Sequence, residues 1–474
     1  MTTRGSITLL VLIFGGIFLA SLTALSGYIM SQNRLQDATR IRAEAFSVAE
    51  AGLNYYRWHL SHYPDDLQNG TSAPGPYAID IPDPSGGTAG TATLTITANT
   101  ACGETASIDI TSVGTAADNA SQPITLVARY AQPSVAAFSY IVNDSVWAGA
   151  DRVINGPYHS NGGIRMDGTA NAEVTSSLTS WSCTNSFGCS PTQTVAGVFG
   201  SGPNQNLWDY PTPQVDFAGI AADFSSLKGI AQVSGVYLPR YSSGNKNSAA
   251  YHKGYHLIFN GDGTVTVMRV STATKLTSWP VNSSDPNYDY ALIGNEVSYN
   301  SYPIPSDCGL IFVEDNTWVE GTIPDKVTLV VANVVDTGVT PDAFLKGDIV
   351  YADADGTDGF TLISAHNILI APDAPNDLDL NGVFIAQGGA FGRNFYSCYS
   401  YPSYSQKGTL TILGSTISNK RTGTQWSGSP TCGNSFASGY ETRIDSFDRN
   451  LVADPPPFTP ITTSQFRFVD WRQE

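Results

Sequence analysis

Six cysteines are the residues whose type and spacing most clearly suggest chemistry. All of them follow residue 100, and an even number in an exported segment predicts disulfides. Zinc is not expected, because the sequence contains no Cys-x-x-Cys spacing. The pairs that the spacing favours are Cys183 with Cys189 and Cys398 with Cys432, and Cys102 with Cys308 follows only by elimination.

An acidic turn is the best candidate for a metal site. Asp353, Asp355 and Asp358 stand two and three residues apart around Gly356, and such carboxylates can converge on a hard cation. Calcium is therefore the one cofactor considered. The bidentate Glu of an EF-hand is missing and no helices flank the turn, so the alternative is a solvated turn between two strands.

Catalytic motifs are scarce. The sequence holds no GxSxG, HExxH, P-loop or dinucleotide fingerprint. His252 and His256 lie four residues apart in a predicted strand and would share one face, which gives weak support for zinc. The carboxylates of Asp348, Asp377 and Asp379 are candidates for a β-helix enzyme acting on polysaccharides. No constellation of acid, base and basic partner stands out, and we expect a protein that is not an enzyme.

A long N-terminal helix is predicted from the first sixty residues. Residues 7–30 are mostly apolar and uncharged, and at about 1.5 Å per residue they are long enough to cross the ~30 Å hydrocarbon layer of a membrane. Residues 33–60 contain no proline, and their apolar residues recur at three and four, which predicts one packing face. Pro64 marks the expected end of the helix.

The charge of the chain is unevenly distributed. The formal net charge is −17 at pH 7, from 24 basic and 41 acidic residues. Residues 1–60 hold five arginines and three carboxylates, a balance of +2, so the rest carries −19. A surface this acidic argues against nucleic acid or anionic lipid as the partner of most of the chain.

Two motifs in this helix resemble those of type IV pilins. Arg4-Gly5 directly before the apolar helix resembles a prepilin cleavage site, and residues 45–53 (AFSVAEAGL) are similar to the signature of PilX-like minor pilins. The resemblance implies cleavage between Gly5 and Ser6 by a prepilin peptidase. It also implies a helix that packs on other pilin subunits, with these signature residues at the packing position: Phe46, Ala49, Glu50, Ala51, Gly52 and Leu53.

The resemblance has one departure, at the fifth position of the mature chain. Major pilins carry a Glu there, whereas this sequence has Leu10. The difference favours a tip or priming role over that of a bulk filament subunit. The alternative is a static adhesin with a single-pass anchor that is never processed. In either case we expect a cytoplasmic-membrane protein whose remaining chain lies outside the cytoplasm, reaching the cell surface or a pilus after assembly.

The rest of the chain is predicted to be β-structure. We expect a leader at 1–5 and a helix at 6–64. A small antiparallel sheet is expected at 65–135, because residues 92–98, 106–113 and 124–130 alternate apolar and polar residues. Residues 69–91 are expected to form loops. Short apolar runs separated by Gly, Asn and Asp turns predict an irregular parallel β-solenoid at 136–450, with an insertion at 181–255; a β-sandwich is the alternative. The Pro-rich tail at 451–474 is expected to add a last strand at 466–469, near the end of the solenoid.

Three segments resemble large surface proteins with PilX-like N-termini, namely 155–162, 317–322 and 380–387. The fold class that follows is mainly β with one long helix. The function that follows is a non-enzymatic minor pilin or pilin-like surface protein, which displays its solenoid for assembly priming or adhesion. A surface glycan or another ligand on a cell surface is the partner considered for the displayed part, and no nucleic acid is expected.

Overall fold

The structure, a computed structural model, describes residues 5–474 except 282, 284, 337 and 464, with side chains from residue 7. The helices of this described chain are α1 Gly5–His62, α2 Phe224–Ser234, α3 Pro402–Ser405 and α4 Arg449–Ala453. Its first strands are β1 Tyr77–Pro82, β2 Thr88–Ala101, β3 Glu104–Ala116, β4 Asn119–Ala131, β5 Tyr140–Val142, β6 Val146–Ala148, β7 Arg152–Asn155, β8 Tyr158–Ser160, β9 Ile164–Met166, β10 Thr169–Ala170, β11 Val174–Ser176, β12 Ser180–Cys183, β13 Gln193–Ala196, β14 Val198–Phe199 and β15 Trp208–Asp209.

The strands that follow are β16 Val236–Leu238, β17 Gly254–Asn260, β18 Thr264–Ser278, β19 Asn287–Pro303, β20 Leu310–Val313, β21 Asn316–Ile323, β22 Lys326–Val331, β23 Ala343–Tyr351, β24 Gly359–Ser364, β25 Ile368–Ile370, β26 Leu378–Ala386, β27 Phe391–Gly392, β28 Gln406–Ser418, β29 Gln425–Trp426, β30 Ser438–Ser446 and β31 Arg467–Gln473. The expected fold class, mainly β with one long N-terminal helix and an antiparallel sheet, is confirmed.

The chain divides into two compact units. The helix–sheet unit comprises the residues up to Asn99 together with Ser107–Ala131 and Arg467–Glu474. The body comprises Thr100–Ala106 and Gln132–Phe466. The body is therefore inserted, in sequence, between the two strands β4 and β31 of the helix–sheet unit.

The sheet of the helix–sheet unit is antiparallel, with the order β1-β2-β3-β4-β31. Its long strands alternate buried and less buried residues, as β3 does from Ile108 to Ala116 with buried and half-buried positions, because one face packs on α1 and the other does not. The prediction of loops throughout 69–91 is wrong at residues 77–82 and 88–91, which lie in β1 and β2. Their alternating pattern is short and interrupted by Pro and Gly, which favour turns.

The predicted strand at the C-terminus also lies elsewhere than expected. Residues 467–473 form β31, which pairs antiparallel with β4 from Arg467↔Ala131 to Gln473↔Leu126. The prediction that this strand ends the solenoid is therefore wrong. The pattern of apolar residues predicts a strand, but the pairing partner lies more than 300 residues away in the sequence and local pattern does not identify it.

The body contains a series of parallel strand pairs whose members are not consecutive in the sequence. β16 pairs with β20, β20 with β22, β22 with β24, β24 with β26, and β26 with β28, each in parallel. Such strands are buried on both faces, which explains their largely apolar sequences: β20 reads LIFV and β24 reads GFTLIS, and every residue of both is buried. They belong to one large mixed sheet, and the irregular solenoid expected for 136–450 stays a prediction.

The order of the stack differs from the order of the chain. The end of β28 pairs in parallel with β5, and from there the stack continues through β8 and β11 to β15. In sequence order, the body therefore begins in the middle of the stack, at β5, and continues to one end, at β15. The chain then starts again at the opposite end, at β16, and continues back to the middle. There the late strand β28 pairs with the early strand β5.

Buried charges also join early and late strands of the body. The guanidinium of Arg152 on β7 donates to Asp445 on β30 at 2.6 Å, and both side chains are 3% exposed. The hydroxyl of Tyr140 on β5 donates to the other carboxylate oxygen at 2.9 Å. Desolvation by burial raises the pKa of Tyr140, and the neighbouring Asp445 carboxylate raises it further. The contact between the first and the last strands of the body therefore contains a hydrogen-bonded ion pair in addition to strand pairing.

Candidate functional site: the N-terminal helix

The first half of α1 is an exposed apolar rod. One described helix is long and apolar enough to cross a membrane, and the 18-residue window that qualifies it is not buried anywhere. Ile7 and Leu12 are each 71% exposed and Phe18 is 66% exposed. Apolar surface of this extent is unfavourable in water, so lipid or other apolar helices would be a suitable environment for this half.

The second half of α1 packs on the sheet of the same unit. Ala45, Ala49 and Tyr56 have no exposed surface, and Val48, Leu53 and Leu60 are at most 3% exposed. They recur at three and four residues, so they lie on one face of the helix. The helix runs without a break through Asn33, from the apolar half to this packed half.

Glycines allow the helix to lie unusually close to the strands. A Cβ on Gly52 would stand 2.5 Å from Ser112 Oγ and 2.7 Å from Ala92 Cβ. From the sheet side, a Cβ on Gly114 would stand 2.2 Å from the Ala45 carbonyl oxygen, and one on Gly90 would stand 2.9 Å from Val48 Cγ2. A Cβ at any of the three positions would force neighbouring atoms to move, and at Gly114 those atoms belong to the helix backbone, so helix backbone and strand backbone are in direct contact there.

The signature residues divide between the two faces of the helix. Ala49, Gly52 and Leu53 are buried against the sheet, whereas Glu50 is exposed and Ala51 is half-buried. Phe46 is half-buried, with its ring 6.5 Å from that of Trp471 on β31 in an edge-to-face arrangement. The motif therefore has an evident intramolecular role, since its small residues fit the helix to the sheet. The sequence did not single out Gly90 and Gly114, because the need for glycine there depends on contacts distant in sequence.

A polar cluster holds the C-terminal end of the helix. His59, 6% exposed, lies 2.8 Å from Asp66 through Nε2, and the hydroxyl of Tyr56 donates to the Asp66 carbonyl at 2.8 Å. The backbone N–H of Gln68 lowers the pKa of the Asp66 carboxyl, and the His59 and Gly70 hydrogen bonds lower it further. These contacts fold the chain back at the end of α1, directly after the expected boundary at Pro64.

The predicted cleavage site stands at the start of this helix. Gly5 is the first residue of α1, and Ser6 follows it within the helix. Residues 1–4, which form most of the predicted leader, lie outside the described residues. Processing between Gly5 and Ser6 therefore stays a prediction.

All six cysteines are paired in the structure. Cys183 bonds to Cys189 and Cys398 to Cys432, with Cα–Cα distances of 5.7 and 6.3 Å. Cys102 bonds to Cys308 with a Cα–Cα distance of 4.4 Å across 206 residues of sequence. All three disulfides lie within the body, because Cys102 belongs to the segment Thr100–Ala106. The Cys102–Cys308 bond therefore joins distant segments of the body, whereas Cys183–Cys189, with a sequence separation of 6, closes a local loop.

The acidic turn uses its carboxylates internally. The oxygens of Asp358, which is 6% exposed, accept the backbone N–H groups of Asp325 at 2.7 Å and Asp353 at 2.5 Å. Asp355 accepts the backbone N–H and the hydroxyl of Thr357. Within the part of the chain that the structure describes, no group of three His, Cys, Asp or Glu residues is arranged to hold a metal ion. Calcium at Asp353, Asp355 and Asp358 stays a prediction without a contact that supports it.

The candidate histidines do not share a strand. His252 lies in a 3₁₀ turn, where its ring stacks on Tyr290 at 3.4 Å, and only His256 lies on a strand. The expected common face is therefore wrong. His256, 4% exposed on its side chain, has Nδ1 2.9 Å from Glu296 and Nε2 3.1 Å from Glu320. The two carboxylates, which the sequence did not single out, sit at opposite ring nitrogens and do not converge on one point.

The carboxylates considered for polysaccharide chemistry serve backbone groups. Asp348 accepts the backbone N–H of Asp379 at 3.0 Å, and Asp377 accepts that of Thr409 at 2.7 Å. The Thr409 N–H is also the principal cause that lowers the pKa of Asp377. Both contacts tie neighbouring coils of the stack together, so these groups have structural partners where catalysis would need free ones.

Comparisons with known proteins find little. No protein-family model matches the chain, and no curated protein matches it. Among solved structures, one similar chain is the competence-associated pilin ComZ from Thermus thermophilus. The two chains are 13% identical, the match covers 92% of this chain and 97% of that chain, and the TM-score is 0.31. A similarity at this score supports no conclusion about fold or function.

Proposed function

We propose that this protein is a minor pilin or pilin-like surface protein of the PilX-like class. One observation carries the proposal: α1 is a single helix of 58 residues, exposed and apolar in its first half and packed on a sheet in its second. An exposed apolar half of this kind has two suitable environments, the bilayer and a bundle of like helices. When such a helix leaves the bilayer and packs among the helices of other subunits, a filament is assembled.

The residues of the first half support a rare or terminal position in such a filament. Leu10, at the fifth position after the proposed cleavage, is 56% exposed and provides no carboxylate for the terminal amine of a neighbour. The chain also carries a body of more than 300 residues, which a regularly repeated subunit would have to accommodate many times. We therefore place the protein at the tip or surface of a type IV pilus, in a role of assembly priming or adhesion.

The proposal includes a location and partners. Before assembly, the helix spans the cytoplasmic membrane once and the body, an irregular β-solenoid, lies outside the cytoplasm. A prepilin peptidase cuts after Gly5, and other pilin subunits then pack on α1. The role is non-enzymatic, which agrees with the backbone contacts of Asp348 and Asp377.

The test is the mature N-terminus of the full chain. Co-expressed with a prepilin peptidase in a membrane, the chain is expected to begin at Ser6, free or methylated, by mass spectrometry. Gly5→Val is expected to retain residues 1–5. Gly15→Val is the matched control, because no atom lies within 4 Å of a Cβ at Gly15, and it is expected to be cut normally.

A second measurement concerns assembly. In cells that form pili, the processed chain is expected in sheared filaments, and the Gly5→Val chain is expected only in membranes. A chain that keeps Met1 in the presence of active peptidase would exclude the pilin role and leave the static anchored adhesin. Turnover of a polysaccharide by the purified chain would instead support the enzyme.

A further inference from the structure

An aromatic cleft lies on the last coils of the stack, at its β15 end. Its volume is about 330 Å³, and its walls are formed by Val198, Phe199, Gly200, Gln205, Trp208 and Tyr210. β14 supplies Phe199 and β15 supplies Trp208. The loop between these strands supplies Gln205. The volume is at the lower end of the range of small-ligand sites and fits one or two sugar rings.

The strands fix the positions of the two walls. β14 pairs in parallel with β9, and β15 pairs in parallel with β11. β11 belongs to the large sheet of the body and β9 to a separate three-stranded sheet of order β14-β9-β6, so the backbone under both Phe199 and Trp208 is anchored by sheet hydrogen bonds. The cleft is therefore formed before any ligand arrives, which lowers the cost of binding.

Close packing fixes the aromatic side chains. A Cβ on Gly197 would stand 1.9 Å from the Leu178 carbonyl oxygen and 2.9 Å from Tyr210 Cβ, so Tyr210 approaches a position that only glycine can occupy. Behind Phe199, the ring of Trp181 lies at 5.8 Å, and Trp181 packs in turn on Phe187 at 5.0 Å. The disulfide Cys183–Cys189 belongs to this small apolar cluster. The hairpin that it closes thus supports one wall of the cleft.

The chemistry of the lining selects a neutral ligand with one apolar side. None of the six lining residues is charged, and three are aromatic. Gln205 is exposed and offers an amide that can donate and accept. The indole N–H of Trp208 is buried and has no hydrogen-bond partner among the described residues. This N–H is covered by the protein, so Trp208, which is half-buried, can offer a ligand in the cleft only the exposed part of its ring.

A pyranose ring of a neutral glycan matches these features. It presents C–H groups on its faces, which stack on aromatic rings, and hydroxyl groups at its edge, which pair with an amide such as that of Gln205. An acidic polysaccharide is disfavoured, because the chain carries a net charge of −17 and the cleft supplies no cation.

We infer that this cleft binds a neutral hexose unit of a glycan, with Tyr210 and Trp208 stacking on the sugar and Gln205 contacting its hydroxyl groups. The inference gives a site and a ligand class to the adhesion role proposed above. It rests on the body by itself, so it stands whether α1 enters a filament or remains a static anchor.

Binding is tested with the full chain in nanodiscs, which avoids detergents with sugar headgroups. The probes are cellotetraose, maltotetraose and chitotetraose, measured by calorimetry and by tryptophan fluorescence. At least one is expected to bind with a Kd on the order of 0.1–1 mM. Tyr210→Ala is expected to weaken that binding by about tenfold or more and Gln205→Ala by about threefold.

The control is Tyr399→Ala, a tyrosine of the body that is 79% exposed and does not line the cleft. It is expected to bind as the unchanged chain does. The thermal unfolding of each variant is measured beside its binding, and Tyr210, 37% exposed, is expected to tolerate replacement. The inference is overturned if none of the three probes binds at ~5 mM, if Tyr210→Ala binds normally, or if polygalacturonate binds as well as the neutral probes.

Discussion

At the scale of single residues, Gly52 decides how closely α1 approaches the sheet. We expect Gly52→Ala to destabilise the helix–sheet unit, although alanine is the better helix former by about 1 kcal/mol. The new methyl would stand 2.5 Å from Ser112 Oγ and 2.7 Å from Ala92 Cβ. Overpacking of this kind costs about 1–3 kcal/mol, so a net loss results. The measurement is thermal unfolding of the full chain followed by its helical circular dichroism.

The same helix offers a matched control. Gly27 has no atom within 4 Å of a built Cβ, so Gly27→Ala is expected to leave the unfolding temperature unchanged or higher. Equal stability of the Gly52→Ala chain and the unchanged chain would show that the helix can move away from the sheet at no cost. The direct backbone contact would then have no role in stability.

The sequence could predict only part of this contact. The apolar face of residues 45–60 follows from its spacing and from the absence of proline, and the structure has that face buried. The demand for glycine at Gly90 and Gly114 could not be predicted, since it arises from the Thr115 carbonyl oxygen on β3, 2.1 Å from a Cβ at Gly90, and from the Ala45 carbonyl oxygen on α1. Local pattern identifies which side of a helix is buried, but not how close its partner comes.

At the scale of elements, the three disulfides are expected to stabilise the body unequally. In the chain-entropy model a crosslink contributes more as the loop it closes lengthens, about 2, 4 and 5 kcal/mol for sequence separations of 6, 34 and 206. Replacing each pair by serine should therefore lower the unfolding temperature least for Cys183–Cys189 and most for Cys102–Cys308. Calorimetry of the three double variants checks the order. The reverse order would show that local packing, rather than loop length, determines their effect.

The strands of the body could be predicted from the sequence, but the strands with which they pair could not. Runs such as 310–313 and 383–386 are continuous and apolar, and they indicate buried strands. The pairing of β28 with β5, which joins residues 416–418 to 140–142, has no local signal. Each buried strand offers similar apolar faces and backbone groups, so the sequence indicates that coils stack without indicating that the last coil meets the first.

At the scale of the whole molecule, β31, which follows the body in the sequence, completes a sheet whose other strands precede the body. Deleting residues 467–474 would remove β31, including the contacts of Trp471 with Phe46 and of Phe468 with Tyr130. We expect the helix–sheet unit to unfold at a lower temperature and β4 to become an open edge that promotes association. The body keeps all of its own strands. In calorimetry its transition should not move, and a shift of both transitions would contradict the division into two units.

The insertion of the body between β4 and β31 has a consequence for proteolysis of the chain. Because the chain leaves the helix–sheet unit after β4 and returns to it at β31, the long segment of the body, Gln132–Phe466, is attached at both of its ends. Within the body, the Cys102–Cys308 disulfide also joins this segment to Thr100–Ala106, which lies between β2 and β3 in the sequence. A protease that cuts the chain at one end of the long segment would therefore not release it, since release requires a cut at each end and reduction of this disulfide.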